Sequence, residues 1–216
     1  MRAFARYLSA AFLALTALAC SAQDGQFTEG KQYRKVREIQ QPADKKRILV
    51  EEFFWYGCPH CYALDPAITN WAKTKPADVD FTRVPNTLGR PVGALHAKAY
   101  YTAESLNALD KMHPALFDAI HKEGQHLENE AQIAAVFNRT LGLMPDIFGN
   151  TFKGFAVDAR FRKSEQLSKD YGITSVPVVV VGGKYMTSAA MAGSFESMLK
   201  VVDALVVKVR KERGGR

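Results

Sequence analysis

Ile48-Leu49-Val50-Glu51-Glu52-Phe53-Phe54-Trp55-Tyr56, followed at once by Gly57-Cys58-Pro59-His60-Cys61, decides how this chain folds. The first part, opened by Arg47, is apolar and rich in β-formers, as suits a central strand buried on both faces. Gly57 breaks the strand. Cys58 then opens a helix, with Pro59 in the first turn, where a missing N–H costs nothing. Leu64, Ile68 and Trp71 carry the helix on at helical spacing.

Working outward, Tyr33 to Val36 is a short extended candidate, and Val79 to Val84 alternates as a second strand. From about Gly89 to Phe155 the texture turns helical: Ala94 to Tyr101, Leu106 to His121, Glu130 to Leu141 and Met144 to Phe155. A short helix ends near Tyr171-Gly172, where glycine is a natural stop. Val176 to Val181 reads as a strand, Gly182-Gly183 as a hairpin turn, and Lys184 to Thr187 as the returning strand. Ser194 to about Lys211 closes the chain as an amphipathic helix. Strand elements therefore flank a helical block. The expected class is α/β, with a small sheet domain split by an all-helical insertion. The expected segments are 1–22 (export signal and cleavage region), 23–88, 89–158 (the helical insertion) and 159–216.

A chain of 216 residues, 47% hydrophobic and 24% charged, can bury a real core without disulfide staples. Its formal net charge is +7, and Lys208, Arg210, Lys211, Arg213 and Arg216 sit in the last stretch. That tail reads as a solvated helix end. No aromatic interleaving or recognition motif accompanies the charge, so nucleic-acid binding is not expected. Arg2 and Arg6 precede an apolar run from Tyr7 to Ala19, too short to span a bilayer as a mature helix, which reads as an export signal. Cleavage after Ala19 would leave Cys20 first and suit a lipid anchor; cleavage after Ala22 would give a soluble product. Both stay open.

The chain has three cysteines. If Cys20 is removed or lipidated, only Cys58 and Cys61 remain as thiols. A disulfide between them closes a tiny ring and contributes little to global stability. In an oxidising compartment such a pair points to redox work. Cys58, at the helix N-terminus, meets unpaired N–H groups and the helix dipole, which stabilise a thiolate. Cys61, one turn in, is the more buried partner. Pro59 stiffens the turn, and His60 can donate a hydrogen bond to the Cys58 sulfur. Stabilising the thiolate stabilises the reduced form, which makes the disulfide the stronger oxidant. Zinc is not expected, because a second cysteine pair is absent. His113, His121 and His126 read as solvated helix residues. A haem site would need histidine directly after Cys61, where Tyr62 stands.

These residues resemble the bacterial periplasmic disulfide oxidases of the DsbA family, on the thioredoxin fold. The matching pieces are Gly30-Lys31-Gln32-Tyr33, Glu52-Phe53-Phe54 leading into Cys58-Pro59-His60-Cys61, Tyr171-Gly172-Ile173-Thr174-Ser175-Val176-Pro177, and Val180-Val181-Gly182-Gly183-Lys184-Tyr185. The helical block matches in position and size more than in motif. The resemblance implies that Val176-Pro177 forms a cis-proline loop, with the Val176 backbone facing a substrate strand. It implies a buried acid at Glu52 that takes the proton of the Cys61 thiol. The family often pairs that acid with a lysine; here the nearest candidate is Arg83, which does not readily release a proton. A proton route through Glu52 and Arg83 stays open. Trp55, Tyr56, Tyr62 and Val176 are candidates to line an apolar groove beside Cys58.

No flavin or nicotinamide signature appears, so the expected redox cofactor is the protein's own Cys58–Cys61 disulfide, and no metal is expected. By the resemblance, partners would be reduced or unfolded exported proteins and a DsbB-type membrane quinone reductase as reoxidant. A monomer in the periplasm is expected, soluble or tethered through Cys20. The alternatives are a disulfide isomerase or reductase, and a lipid-tethered chaperone or binding protein.

Overall fold

The computed structural model describes residues 27–214 except 42, 43 and 45. The export signal, Cys20 and Arg216 lie outside the described residues. Among the described residues, five strands form one mixed sheet: β1 (Arg34–Lys35), β2 (Ile48–Phe54), β3 (Val79–Pro85), β4 (Val178–Val181) and β5 (Tyr185–Thr187), in the order β1-β5-β4-β2-β3. β2 runs parallel to β3 and antiparallel to β4. Its seven residues are buried except for the half-buried Leu49, as the apolar run predicts. The link from β2 to β3 is α1 (Pro59–Thr74).

Between β3 and β4 come α2 (Pro91–Ser105), α3 (Leu109–His121), α4 (Glu130–Leu141), α5 (Pro145–Phe152) and α6 (Phe155–Tyr171). The expected helix Met144 to Phe155 therefore ends early, and the expected short helix before Gly172 is 17 residues long. The break falls at Gly154. Its N–H turns back to the Thr151 carbonyl at 2.9 Å, and a Cβ there would press on that same oxygen. The boundary expected after residue 158 lies inside α6. A short α7 (Ala189–Ala192) and α8 (Phe195–Glu212) close the fold.

Alternation along the strands divides the core. Ile48 and Val50 on β2 and Val179 and Val181 on β4 pack on α1 and α8 through Leu64, Ile68, Val202 and Leu205. On the other face, Phe53, Val178 and Val180 pack on Tyr171 of α6. A third cluster, built from Phe54, Tyr100, Met112, Leu116, Phe117 and Phe137 of β2 and the inserted helices, also contains Cys58 and Cys61. The redox pair thus sits where the sheet meets the helical block. At about 25 cal/mol per Å² of apolar surface removed from water, burying side chains such as these supplies the main drive for docking the block.

The basic tail differs from the solvated end expected. Arg210 makes two 2.8 Å bonds to Asp78. Arg213 donates to the Arg47 carbonyl at 2.7 Å and the Gly182 carbonyl at 3.3 Å. These contacts tie the last turn of α8 to the sheet's edge connections. Gly182 and Gly183, with φ of +64° and +67°, make the tight turn between β4 and β5 that the glycine pair predicts.

Candidate active site

Cys58 caps α1 in an extended conformation (φ −94°, ψ 115°), and Pro59 follows in the first turn. The Cys58 N–H donates to the Trp55 carbonyl at 3.0 Å, which fixes the bend from β2 into the helix. A Cβ at Gly57 would collide with the Trp55 indole, so any larger residue in that bend would have to displace the ring. Both cysteines are thiols in this structure. Cys58 is 9% exposed and Cys61 is fully buried.

The two thiols have opposite acidities. A hydrogen bond from the Cys61 side chain is the largest influence on Cys58. The backbone N–H groups of Cys61 and His60 and the charge of His60 act with it, against desolvation, to lower Cys58 to about 6. His60 itself is exposed. Burial first, and then the Cys58 hydrogen bond and charge, push the Cys61 thiol far up. One sulfur is therefore an anion at neutral pH and the other holds its proton.

Val176-Pro177 is a cis peptide, and the Val176 carbonyl lies 3.6 Å from the Cys58 Sγ, accepting from it when Cys58 is protonated. The chain reaches this loop from α6 through Gly172, which has the left-handed φ of +70°. A groove of about 440 Å³ is lined by Ile173 and Thr174, just before this loop, and by Asn86 and Leu88; Trp55, Tyr56, Tyr62 and Val176, the expected groove residues, do not line it.

Glu52 projects from β2 on the α1 side, in register with Arg83 of β3. It is 1% exposed, and its Oε2 accepts from Arg83 Nε at 3.0 Å. Burial raises its pKa to about 7, with Arg83 opposing and Asp65 reinforcing the rise. A carboxyl group poised there can hold or release a proton at neutral pH. Its charge also bears on Cys61. Glu51 points to the opposite face, is buried too, and accepts from the Tyr171 hydroxyl at 2.8 Å.

The aromatic and histidine residues depart from expectation. Tyr56 is a core residue rather than a groove wall, while Trp55 and Tyr62 are half-buried. The Trp55 indole N–H donates to His96 Nδ1 at 3.0 Å, and Arg90 lies over the ring. His113 and His121 are not solvated: His113 is buried against Asp65 and Tyr56. His121 lies 2.7 Å from the Tyr56 carbonyl and stacks on Tyr62. Both sit on α3, so a 13-residue helix supplies groups to two elements that flank the cysteines. His126 is exposed as expected, but it lies in the loop between α3 and α4 rather than on a helix. Asp65 had a legible signal, since it lies four residues after Cys61 on the same face of α1. His113 had none, because its contacts are 48 and 57 residues away in sequence. Among the described residues, no group of three or more His, Cys, Asp or Glu side chains is placed to hold a metal ion. No helix among them is long and apolar enough to cross a membrane.

Comparison with known proteins agrees with this geometry. The family profile for the DSBA-like thioredoxin domain matches residues 67–200. The chain is 39% identical over 204 residues to a thiol:disulfide interchange protein DsbA of Pseudomonas syringae pv. tomato, covering 94% of both chains. It is 36% identical to the DsbA of Burkholderia cepacia, covering 93% of this chain and 94% of that relative. The crystal structure of Pseudomonas aeruginosa DsbA superposes with a TM-score of 0.81 at 36% identity, covering 87% of this chain and 97% of that one.

Proposed function

The chain belongs to the DsbA family and is a protein-disulfide oxidoreductase, and from that premise we propose that it works as an oxidase, giving its Cys58–Cys61 disulfide to newly exported proteins in the periplasm. The observation that carries this direction is the split between a Cys58 lowered to about 6 and a Cys61 pushed far up. A stable Cys58 thiolate makes that sulfur a good leaving group and favours the reduced enzyme, so electrons flow from substrate to enzyme.

The reaction starts from the oxidised enzyme. A substrate thiolate attacks the Cys58 sulfur, a substrate–Cys58 bond forms, and the Cys58–Cys61 bond breaks with its electron pair on Cys61. In this half-reaction Cys61 takes a proton from the Glu52 carboxyl, which is then reprotonated from water; when the disulfide is restored the direction reverses and ionised Glu52 takes the Cys61 proton, as the resemblance implies. A second substrate thiolate attacks the substrate sulfur of the mixed disulfide and expels the Cys58 thiolate. The substrate leaves with a disulfide, two electrons poorer, and the enzyme is left as the dithiol. Val176, beside the Cys58 sulfur, offers its backbone to an extended substrate segment, and Pro177 holds that loop in place. Pro59 and His60 tune the couple from the first turn of α1.

The redox cofactor in this reading is the disulfide itself. A DsbB-type membrane quinone reductase accepts the two electrons and restores it. Cleavage in the export signal leaves the enzyme soluble or tethered through Cys20. The test is oxidation of a two-cysteine peptide, followed with Cys58→Ser and Cys61→Ser. We expect Cys58→Ser to abolish turnover and Cys61→Ser, loaded as a mixed disulfide, to hold the peptide on Cys58. Oxidase turnover retained by Cys58→Ser would sink the scheme. Efficient reshuffling of a scrambled substrate without net oxidation would favour an isomerase instead.

A further inference from the structure

One guanidinium serves a buried acid, Glu52, and a half-buried one, Asp65, beside the redox pair. Arg83 donates through Nε to Glu52 at 3.0 Å and through Nη2 to Asp65 at 2.8 Å and Thr69 at 2.6 Å. Where two carboxylates share one cation, whatever else holds one of them decides how much of the cation's field reaches the other. The second partner of Asp65 is His113, whose Nε2 lies 3.1 Å from the same Oδ1 that Arg83 binds. The other ring nitrogen, Nδ1, is 2.9 Å from the Tyr56 hydroxyl.

Protonation follows from burial. Desolvation lowers His113, so the ring is neutral at pH 7 and above, and it raises the Tyr56 phenol well above its usual range, so the phenol keeps its proton. Only one arrangement then satisfies every group: the Tyr56 O–H donates to Nδ1, and Nε2–H donates to Asp65. The chain of donors runs from Tyr56 through His113 to Asp65, where it meets Arg83, which also reaches Glu52. The groups facing Glu52 are Arg83 from β3, Cys61 and Asp65 from α1, Tyr56 from the following loop and Tyr100 from α2. His113 stands behind Asp65 from α3, and Lys73 and Asp110 bound the solvent-facing cleft of about 470 Å³ that Asp65, Arg83 and His113 also line.

We propose that His113 is a positioning residue of the redox centre: by holding Asp65 with a neutral donor, it leaves Arg83 to pair with Glu52 and so sets the pH at which Glu52 supplies a proton to Cys61. The inference rests on the assignment of Glu52 as proton donor to Cys61. It gives the helical block a chemical role, since α3 would govern a proton held on β2.

The test is single-turnover oxidation of a two-cysteine peptide by the oxidised enzyme from pH 5 to 9, with each rate divided by the peptide's thiolate fraction. The wild-type profile should fall above an inflection near 7, where Glu52 loses its proton. His113→Phe removes the donor to Asp65, draws Arg83 toward that acid, and should move the inflection up by about one pH unit. His113→Gln keeps an amide donor for Asp65 and should stay within a few tenths of a unit. Asp65→Asn removes the competing anion and should move the inflection down, and the double variant Asp65→Asn/His113→Phe should follow Asp65→Asn alone. If His113→Phe does not fold, His113→Asn, polar but too short to reach Asp65, should show the same upward movement. An inflection that Glu52→Gln abolishes but neither His113→Phe nor His113→Asn moves would overturn the proposal and leave His113 a packing residue. An inflection that survives Glu52→Gln would instead remove the Glu52 assignment on which the proposal rests.

Discussion

Two residues one helical turn apart in the same dithiol have opposite acidities because their surroundings differ. Cys58 sits at the N-terminal end of α1, where the Cys61 thiol first and then backbone N–H groups donate to it, and Cys61 sits inside the core. This much was legible in the sequence, because strand, glycine, cysteine and proline are local signals. The buried glutamates were half legible. Alternation puts Glu51 and Glu52 on opposite faces, but the sequence does not show that both faces are covered. Glu51 is buried at 4% exposure, and burial raises its pKa to about 7 despite the Tyr171 hydroxyl and the charge of Lys163. A carboxyl whose folded pKa is raised binds its proton more tightly in the native state. Its contribution to stability is therefore present at pH below about 4.5 and is lost as pH rises through about 7. Glu51→Gln, which keeps an oxygen for Tyr171, should lessen this loss. Denaturant melts at pH 5 and pH 8 should show the variant losing about 2 kcal/mol less than wild type between them. Equal losses in both proteins would mean that Glu51 does not titrate in this range.

At the scale of elements, one misplacement has a local cause and the other a long-range one. The Gly154 break turns on a backbone oxygen three residues back, and Phe155, which starts α6, is 82% exposed and so carries no apolar-face signal. The end of α8 was misread for the opposite reason, contacts distant in sequence. Charge alone suggests a solvated tail, but Arg210 and Arg213 find partners at Asp78, Arg47 and Gly182, far away in sequence. Arg213→Ala should therefore destabilise the fold by about 1 to 2 kcal/mol, from loss of partly buried charge-assisted bonds to carbonyls. Urea melts measure this directly. A change below about 0.3 kcal/mol would show the contacts to be surface ornament. The variant should leave the Cys58 titration unmoved, because α8 caps the far end of β2 from the cysteines.

Across the whole molecule, a mixed sheet supplies the strand that ends at Cys58, the antiparallel strand that follows the Val176-Pro177 loop, and the face on which Glu52 and Arg83 meet. The inserted helices close over the same point and bring His113 and His121 to it. Their place in the chain was visible as a block without strands, whereas their contacts with the redox loop were not, because a lone histidine on a helix has no local pattern. All of this bears on one property, the tendency of the dithiol to stay reduced and of the disulfide to be given away. Equilibration of the enzyme with glutathione redox buffers at pH 7 tests it most directly. The stabilised Cys58 thiolate predicts a couple more oxidising than about −180 mV. A couple near −270 mV, in the range of dedicated reductants, would contradict the account.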